Sequence, residues 1–217
     1  RLAAEGVGTA LLLAIVVGSG VMGSSLASGN EAIALLVNAV STGAGLFVLI
    51  TLLGPISGAQ FNPLVTLIGT VSGQVARGEA LARTAIQVAG AVAGVLLAHA
   101  MFDLPLVQVS EKVRAGAGQV FSEALATFGL LMVVQLGGRL APGALPGLVA
   151  LYITAAYGFT ASTAFANPAV TLARTLTDTF AGIAPASAPG FVVGQAAGAL
   201  GALFASRWLF GRNQPQG

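Results

Sequence analysis

The chain contains no cysteine among its 217 residues. Disulfide bonds, thiol catalysis and thiolate metal sites are therefore excluded. It has a single histidine, His99, which lies in an apolar run, and we expect this side chain to have a structural role. No Ser-His-Asp set, pair of acidic residues or glycine-rich phosphate loop stands out. The sequence therefore predicts neither an enzyme nor a bound metal or cofactor.

Charge is also scarce in this sequence. Lys, Arg, Asp and Glu make up 7% of the residues and hydrophobic residues 56%, whereas a soluble domain carries roughly a quarter charged residues. Such a chain would precipitate in water, so a lipid bilayer is its expected solvent. The 30 glycines favour closely packed membrane helices, because small residues let backbones approach one another. The net charge of +2 is small, and we predict no nucleic-acid partner from it.

Six apolar segments are long enough to cross a bilayer, which takes about 20 residues. We predict spans at about 2–27, 31–53, 78–101, 118–138, 144–161 and 186–210. The stretch from Phe102 to Gly118 carries four charged residues and is expected to lie in water. The sequence therefore predicts an all-α membrane protein with a single domain over residues 1–217.

Two other apolar segments are too short to span. They run from Asn62 to about Gln74 and from Asn167 to about Phe180, which is about half a bilayer at roughly 1.5 Å per residue. Re-entrant segments of this kind are tolerated at membrane depth only when they are buried in protein or line a cavity. Two of them at corresponding places indicate a transport pathway.

The chain contains an internal repeat, over about 1–101 and 118–210. The matching residues, in the same order in each half, are Glu5 with Glu123, Asn62 with Asn167, and Gln87 with Gln195. Each half holds three spans and one half-helix. Because three is odd, the second half must enter the membrane upside down relative to the first. The two half-helices then come from opposite faces and meet near the middle.

Basic residues predict the orientation. With both termini in the cytoplasm, the inner side receives six: Arg1, Arg77, Arg83, Arg139, Arg207 and Arg212. The outer side receives three: Lys112, Arg114 and Arg174. This bias favours a multi-pass protein of the cell's inner (plasma) membrane with both termini cytoplasmic.

The Asn-Pro pairs explain how the half-helices begin. Asn is a favoured helix N-cap and Pro is favoured at the first helical position. We therefore expect short helices to start at Asn62-Pro63 and Asn167-Pro168. Two helix N-termini that meet at mid-membrane offer N–H donors and partial positive charge, which suits neutral hydroxylated solutes and repels cations. The alternative, two interfacial turns, leaves the repetition unexplained.

These features together resemble the major intrinsic proteins, the aquaporins and aquaglyceroporins. The resemblance rests on the paired Asn-Pro motifs, the stretch "SGAQFNP", the Glu in the first span of each half and the layout of six spans plus two half-helices. It covers essentially the whole chain. It implies a right-handed helical bundle in membrane lipid, with one pore per subunit and normally assembled as a homotetramer.

The chain departs from the family pattern at both motifs. The first reads Asn62-Pro63-Leu64 where the family has Asn-Pro-Ala, and we expect Leu64 to add bulk where the half-helices touch. The second, Asn167-Pro168-Ala169, is intact. The family usually has Arg immediately after the second motif, and that Arg narrows and charges the outer constriction. This chain has Val170 there.

The resemblance also implies the other positions of the constriction. Counting back 20 residues from the first Asn, and 12 and 3 residues from the second, the set becomes Thr42, Ala155, Ala164 and Val170. An insertion in span five would put Ala156 or Tyr157 in the place of Ala155. All four residues of the set are small or medium in size and uncharged, which predicts a wide opening without the usual cationic filter.

Glu5 and Glu123 are ionisable residues inside spans, which suggests function. The resemblance implies that they accept hydrogen bonds from the loops that carry the half-helices. A proton relay is the alternative. An uncompensated charge at this depth would cost several kcal/mol, so each carboxylate must find donors.

Arg174 lies four residues after Val170, hence on the same helix face and about 6 Å further out. We predict either that it points into the outer vestibule or that it turns away and pairs with Asp178, four residues further along.

The functional prediction is a passive channel for small neutral solutes, of aquaglyceroporin type and unusually wide. Resemblance to the bacterial branch linked to arsenic resistance implies arsenous acid and methylated arsenicals as solutes, beside glycerol and water. The nearest alternative is an ordinary water or glycerol facilitator. An ion-coupled secondary transporter would need a titratable or ion-coordinating group at the midplane, where we find only Asn. A purely structural membrane protein leaves the half-helices unexplained.

Overall fold

The fold is a bundle of helices, and the computed structural model describes residues 1–211. Within this part of the chain there is no β-strand, and six segments are long and apolar enough to cross a membrane, which confirms the predicted fold class. Arg212, one of the predicted inner basic residues, lies outside the described residues. In chain order the helices are α1 (Leu2–Leu26), α2 (Glu31–Ser57), α3 (Pro63–Val71), α4 (Arg77–Met101), α5 (Ala117–Leu140), α6 (Leu145–Phe159), α7 (Pro168–Ala173) and α8 (Ala188–Gly211).

Helix α2 shows how local chemistry sets the ends of a span. It begins after Asn30, whose side chain accepts hydrogen bonds from the backbone N–H groups of Ala32 and Ile33. It continues through Pro55 to Ser57, four residues beyond the predicted end. Gly58 then ends it in the left-handed conformation, at φ 92°.

The half-helices are α3 and α7, and both are shorter than predicted. Helix α3 ends at Val71, and α7 ends at Ala173, followed by a 3-10 turn over Arg174–Leu176. The stretch 102–118 explains the early end of α7, because part of it packs over this turn. The terminal carbonyls accept loop N–H groups in place of helical ones: Gln108 donates to Leu176, Ser110 to Thr175 and Ile183 to Arg174. Ser110 is consequently buried, although this stretch was expected to lie in water.

The two halves pack in matching ways. Helix α1 packs against α2 and α4, α5 packs against α6 and α8, and α2 meets α6 across the two halves. Gly90 on α4 faces the carbonyl oxygen of Gly6, and Gly198 on α8 faces that of Ala124. A Cβ atom at either glycine would overlap that oxygen. Glycine is thus what permits the close helix contact in both halves.

The outside of the bundle is apolar and its inside holds polar groups. Exposed side chains on the long helices include Leu36, Leu52, Leu81, Leu151 and Phe204. Fully buried ones include Glu5, Gln87, Glu123 and Gln195. This distribution is the reverse of that in a water-soluble protein and fits a bilayer around the bundle.

Candidate functional site

A cavity of about 110 Å³ lies between the two halves of the bundle. Most of its lining is aliphatic, contributed by α1, α2, α5 and α6. Polar side chains are few, and they are Thr42, Gln60, Asn62, Tyr157, Asn167 and Arg174. The volume accommodates several water-sized molecules, and the lining offers a small number of hydrogen-bonding groups along an otherwise apolar path.

The two half-helices meet at their Asn residues. The Nδ2 atom of Asn62 donates to the carbonyl oxygen of Ala166 at 2.8 Å, and that of Asn167 donates to the carbonyl oxygen of Phe61, also at 2.8 Å. Each Nδ2 carries a second hydrogen. Because both side chains line the cavity, that hydrogen is available to a molecule passing the middle of the path.

The same Asn side chains cap the helices they precede. The Oδ1 atom of Asn62 accepts from the backbone N–H of Leu64 at 2.9 Å, and that of Asn167 accepts from Ala169 at 3.0 Å. Pro63 and Pro168 occupy the first helical positions. Both helix N-termini therefore point at the middle of the cavity, with their donors and partial positive charge.

Leu64 does not line the cavity. It packs in a separate apolar cluster with Ile68 of its own helix, Leu131 of α5 and Ala199 of α8. The expectation that Leu64 adds bulk where the half-helices touch is corrected accordingly, because its side chain packs in the cluster with residues of α5 and α8.

Glu5 holds the loop before α3. Its carboxylate accepts the backbone N–H groups of Gln60 at 3.0 Å and Phe61 at 2.8 Å. The hydroxyl of Ser57 and the amide of Gln87 also donate to it, at 2.7 and 2.9 Å. These donors replace the water that this buried charge has lost.

Glu123 holds the loop before α7 in the same way. It accepts the backbone N–H groups of Phe165 and Ala166, both at 2.9 Å, and the amide of Gln195 at 2.6 Å. The two loops also share a strained backbone, with positive φ at matching non-glycine residues: Ala59, Phe61, Ala164 and Ala166. Left-handed residues of this type persist only where surrounding contacts fix them, and here the carboxylates supply those contacts.

Three of the four residues predicted for the constriction line the cavity: Thr42, Ala164 and Val170. Ala155 does not, because it is exposed on the outer face of α6. The face of α6 that lines the path carries Val149, Ile153 and Tyr157, spaced four residues apart. Residue 155 lies two positions from both Ile153 and Tyr157, hence on the opposite side of the helix. The prediction of Ala155 is therefore wrong, and Tyr157, the alternative for this place, lines the path.

Tyr157 changes the chemistry of the constriction. Its hydroxyl oxygen lies 3.3 Å from Oγ1 of Thr42, so the two form a hydrogen-bonded pair across two helices. The residues at the predicted constriction thus include an aromatic ring and two hydroxyls where only small side chains were expected. This set is bulkier and more polar than the one that the sequence predicted.

Arg174 lines the cavity just beyond the end of α7. Its Nε donates to the carbonyl oxygen of Ala181, and its guanidinium carbon lies 3.4 Å from the centre of the Phe165 ring. Asp178 is engaged elsewhere, since its Oδ1 accepts the backbone N–H of Glu111 at 3.0 Å. The alternative in which Arg174 pairs with Asp178 is therefore wrong.

Sequence reasoning missed Arg114 and Phe165. Arg114 donates from Nε to the carbonyl oxygen of Gly182 at 2.9 Å, and its guanidinium carbon lies 5.3 Å from the Phe165 ring centre. Burial lowers the pKa of Arg114, and burial together with the charge of Arg114 lowers that of Lys112. No spacing in the sequence pointed to Arg114, because its contacts join loops that are far apart in the chain.

His99 is buried outside the cavity. One ring nitrogen lies 2.8 Å from the carbonyl oxygen of Leu106 and the other 2.7 Å from Oγ1 of Thr177. The side chain thus joins the end of α4 to the loops that contain Leu106 and Thr177. Within residues 1–211 no group of three or more His, Asp or Glu side chains is arranged to hold a metal ion.

Comparison with known proteins identifies relatives of this chain. The family described as "Major intrinsic protein" matches residues 1–138. Aquaglyceroporin AqpS of Rhizobium meliloti (strain 1021) is 53% identical over 215 residues, which cover 99% of this chain and 92% of the relative. The X-ray structure of the aquaglyceroporin from Plasmodium falciparum matches with a TM-score of 0.73 at 18% identity, over 96% of this chain and 93% of that one. At that identity the structural match bears on the fold alone.

Proposed function

The chain belongs to the major intrinsic protein family and is a multi-pass membrane channel for small solutes, not an enzyme, and we propose that it passes neutral solutes up to about the size of glycerol. Arsenous acid, methylated arsenicals, glycerol and water are the proposed solutes. The name of the Rhizobium meliloti relative, an aquaglyceroporin, supports glycerol and water among these solutes.

The observation that carries the proposal is Val170 at the constriction. Its side chain lines the cavity immediately after the second motif. A neutral, medium-sized residue here leaves room beside Ala164 for a solute wider than water. The lining here combines apolar side chains with the hydroxyls of Thr42 and Tyr157. Such a lining suits molecules that combine hydroxyl groups with an apolar face.

A second candidate is an ordinary water or glycerol facilitator with a narrower filter. The Tyr157 ring and its contact with Thr42 favour it, because they take up part of the space that the missing Arg leaves. An ion-coupled mechanism has less support. Among the described residues that line the cavity, the charged one is Arg174 at the outer end, and the midplane holds Asn62 and Asn167.

We also propose that the channel lies in the inner membrane of the cell, with both termini cytoplasmic, and that it assembles as a homotetramer. The excess of basic residues on the proposed inner side supports the orientation. The exposed apolar faces of the long helices support contact with lipid and with neighbouring subunits.

Substitution of Val170 tests the proposed solute size. In liposomes, stopped-flow measurements on wild type should give flux of water, glycerol, urea and arsenous acid. Val170→Arg should lower the glycerol-to-water permeability ratio by about tenfold, which corresponds to an added barrier of about 1.4 kcal/mol. Val170→Met adds bulk without charge and separates size from electrostatics.

The result for wild type decides between the two candidates. Water flux without glycerol or arsenous acid flux would refute the wide solute range and leave the narrow facilitator. If Val170→Arg leaves the glycerol-to-water permeability ratio unchanged, residue 170 does not limit solute size.

A further inference from the structure

The outer mouth of the path carries a positive charge that has no ionic partner. Arg174 lies one helical turn beyond Val170 and lines the same cavity, although only 1% of its surface is exposed. It forms no ion pair with any described residue, and Asp178, the acid at helical spacing, faces the backbone of Glu111. No described carboxylate therefore forms an ion pair with this charge, which lies against the path.

The hydrogen-bonding capacity of Arg174 is only partly used. Its Nε donates to the carbonyl oxygen of Ala181, and its guanidinium carbon lies over the Phe165 ring. Among residues 1–211, neither Nη1 nor Nη2 has a hydrogen-bond partner, although each carries two hydrogens. In a side chain that lines the cavity, these unused donors are available to an acceptor oxygen in the path.

Within the described residues of the first half of the repeat, no such unpaired charge lines the cavity. The cation beside the loop before α3 is Arg83, which lies 2.8 Å from Glu79 and 3.6 Å from Glu5. Two carboxylates thus neutralise it. Gln87 and Gln195 correspond in the two halves and are 108 residues apart. The same offset relates Arg83 of the first half to Phe191 of the second. Phe191 packs edge-on against Phe165. The symmetry of the repeat is broken at this point.

We infer that Arg174 is the charged filter residue of this channel, displaced one turn outward from the constriction, where it repels cations and donates hydrogen bonds to the oxygen atoms of entering solutes. This inference rests on the channel function proposed above. Positive charge close to a path with low-dielectric walls raises the barrier for a cation far more than for a neutral molecule of the same shape. The cation–π contact with Phe165, at 3.4 Å from the guanidinium carbon to the ring centre, holds the guanidinium in place without a carboxylate.

Urea and the guanidinium ion are suitable probes, because they are both small and planar and differ in charge. Permeability for each is measured in proteoliposomes containing the full chain. Arg174→Gln should raise the guanidinium-to-urea permeability ratio at least about tenfold. Even at an effective dielectric constant of about 20, the repulsion between two unit charges several ångströms apart exceeds the barrier change that a tenfold effect requires. Arg174→Lys keeps the charge and should keep the ratio low.

Lys112→Gln is the matched control. It removes one positive charge from the same side, but Lys112 lies over the Phe180 ring and does not line the cavity that holds Asn62, Asn167 and Arg174. We expect its ratio to equal that of wild type. An equal rise in Lys112→Gln and Arg174→Gln would overturn the assignment, because the barrier would then come from general surface charge.

A second pair of variants tests the same point without altering Arg174. Val170→Asp places a carboxylate four residues before it, at a spacing that allows an ion pair, whereas Val170→Asn has nearly the same shape and no charge. The guanidinium-to-urea ratio should rise in Val170→Asp relative to Val170→Asn. Equal ratios in these two variants would overturn the inference while leaving the proposed function intact. A wild type that conducts neither urea nor water would overturn both.

Discussion

The buried residues Glu5 and Glu123 show how single side chains hold the loops that precede the half-helices. Each lies in the first span of its half, and each accepts two consecutive backbone N–H groups of the loop before a half-helix. Those loops contain left-handed residues that the chain would otherwise avoid. The carboxylates thereby fix the loop geometry on which the positions of both Asn residues depend.

Glu123→Gln should weaken the fold and lower flux for every solute together. A Gln side chain has one acceptor oxygen, so its NH2 group would face the N–H of Phe165 or Ala166. The loss of a charged hydrogen bond costs about 1.5–3 kcal/mol. Thermal unfolding in detergent and liposome flux measure both effects, with Glu111→Gln in the exposed outer loop as the control.

The relay alternative gives a different result. If Glu123 relays protons, Glu123→Gln should keep wild-type stability and neutral-solute flux but lose a proton movement that the wild type shows. That result would support a relay and contradict the supporting role.

At the scale of elements, the starts of the half-helices could be predicted and their ends could not. Asn62-Pro63 and Asn167-Pro168 are local signals, and both helices begin there. The end of α7 depends on N–H groups of the outer loop, more than 60 residues away in the chain. The rotation of α6 about its axis, which selects Tyr157 over Ala155, likewise depends on packing against α2 and α5. A count from a motif does not capture either effect.

The close contact between α1 and α4 yields a prediction about glycine. Gly90→Ala would drive a Cβ into the carbonyl oxygen of Gly6, and overpacking of this kind costs about 1–3 kcal/mol. Gly78→Ala on the same helix is the control, because nothing lies within 4 Å of its added Cβ. Thermal unfolding in detergent should show a lower midpoint for the first variant only. Equal midpoints would mean that α1 and α4 can separate without cost.

At the scale of the whole molecule, the sequence was sufficient for the fold because its main determinants are long apolar segments and an internal repeat. Six spans and two half-helices follow from lengths and motif positions. The charge pattern of the two mouths could not be predicted this way. It depends on which loops fold over each half-helix, and these differ between the halves. Arg83 pairs with two acids in the first half, whereas Arg174 lies over the Phe165 ring in the second.

The central claim is that the molecule is a passive channel for small neutral solutes. It is tested most directly by glycerol entry into proteoliposomes under a glycerol gradient. Entry is measured by stopped-flow light scattering, with and without imposed proton and sodium gradients. We predict entry well above that of empty liposomes, in proportion to the glycerol gradient and independent of either ion gradient. Entry equal to that of empty liposomes, or entry that requires a proton or sodium gradient, would contradict the claim.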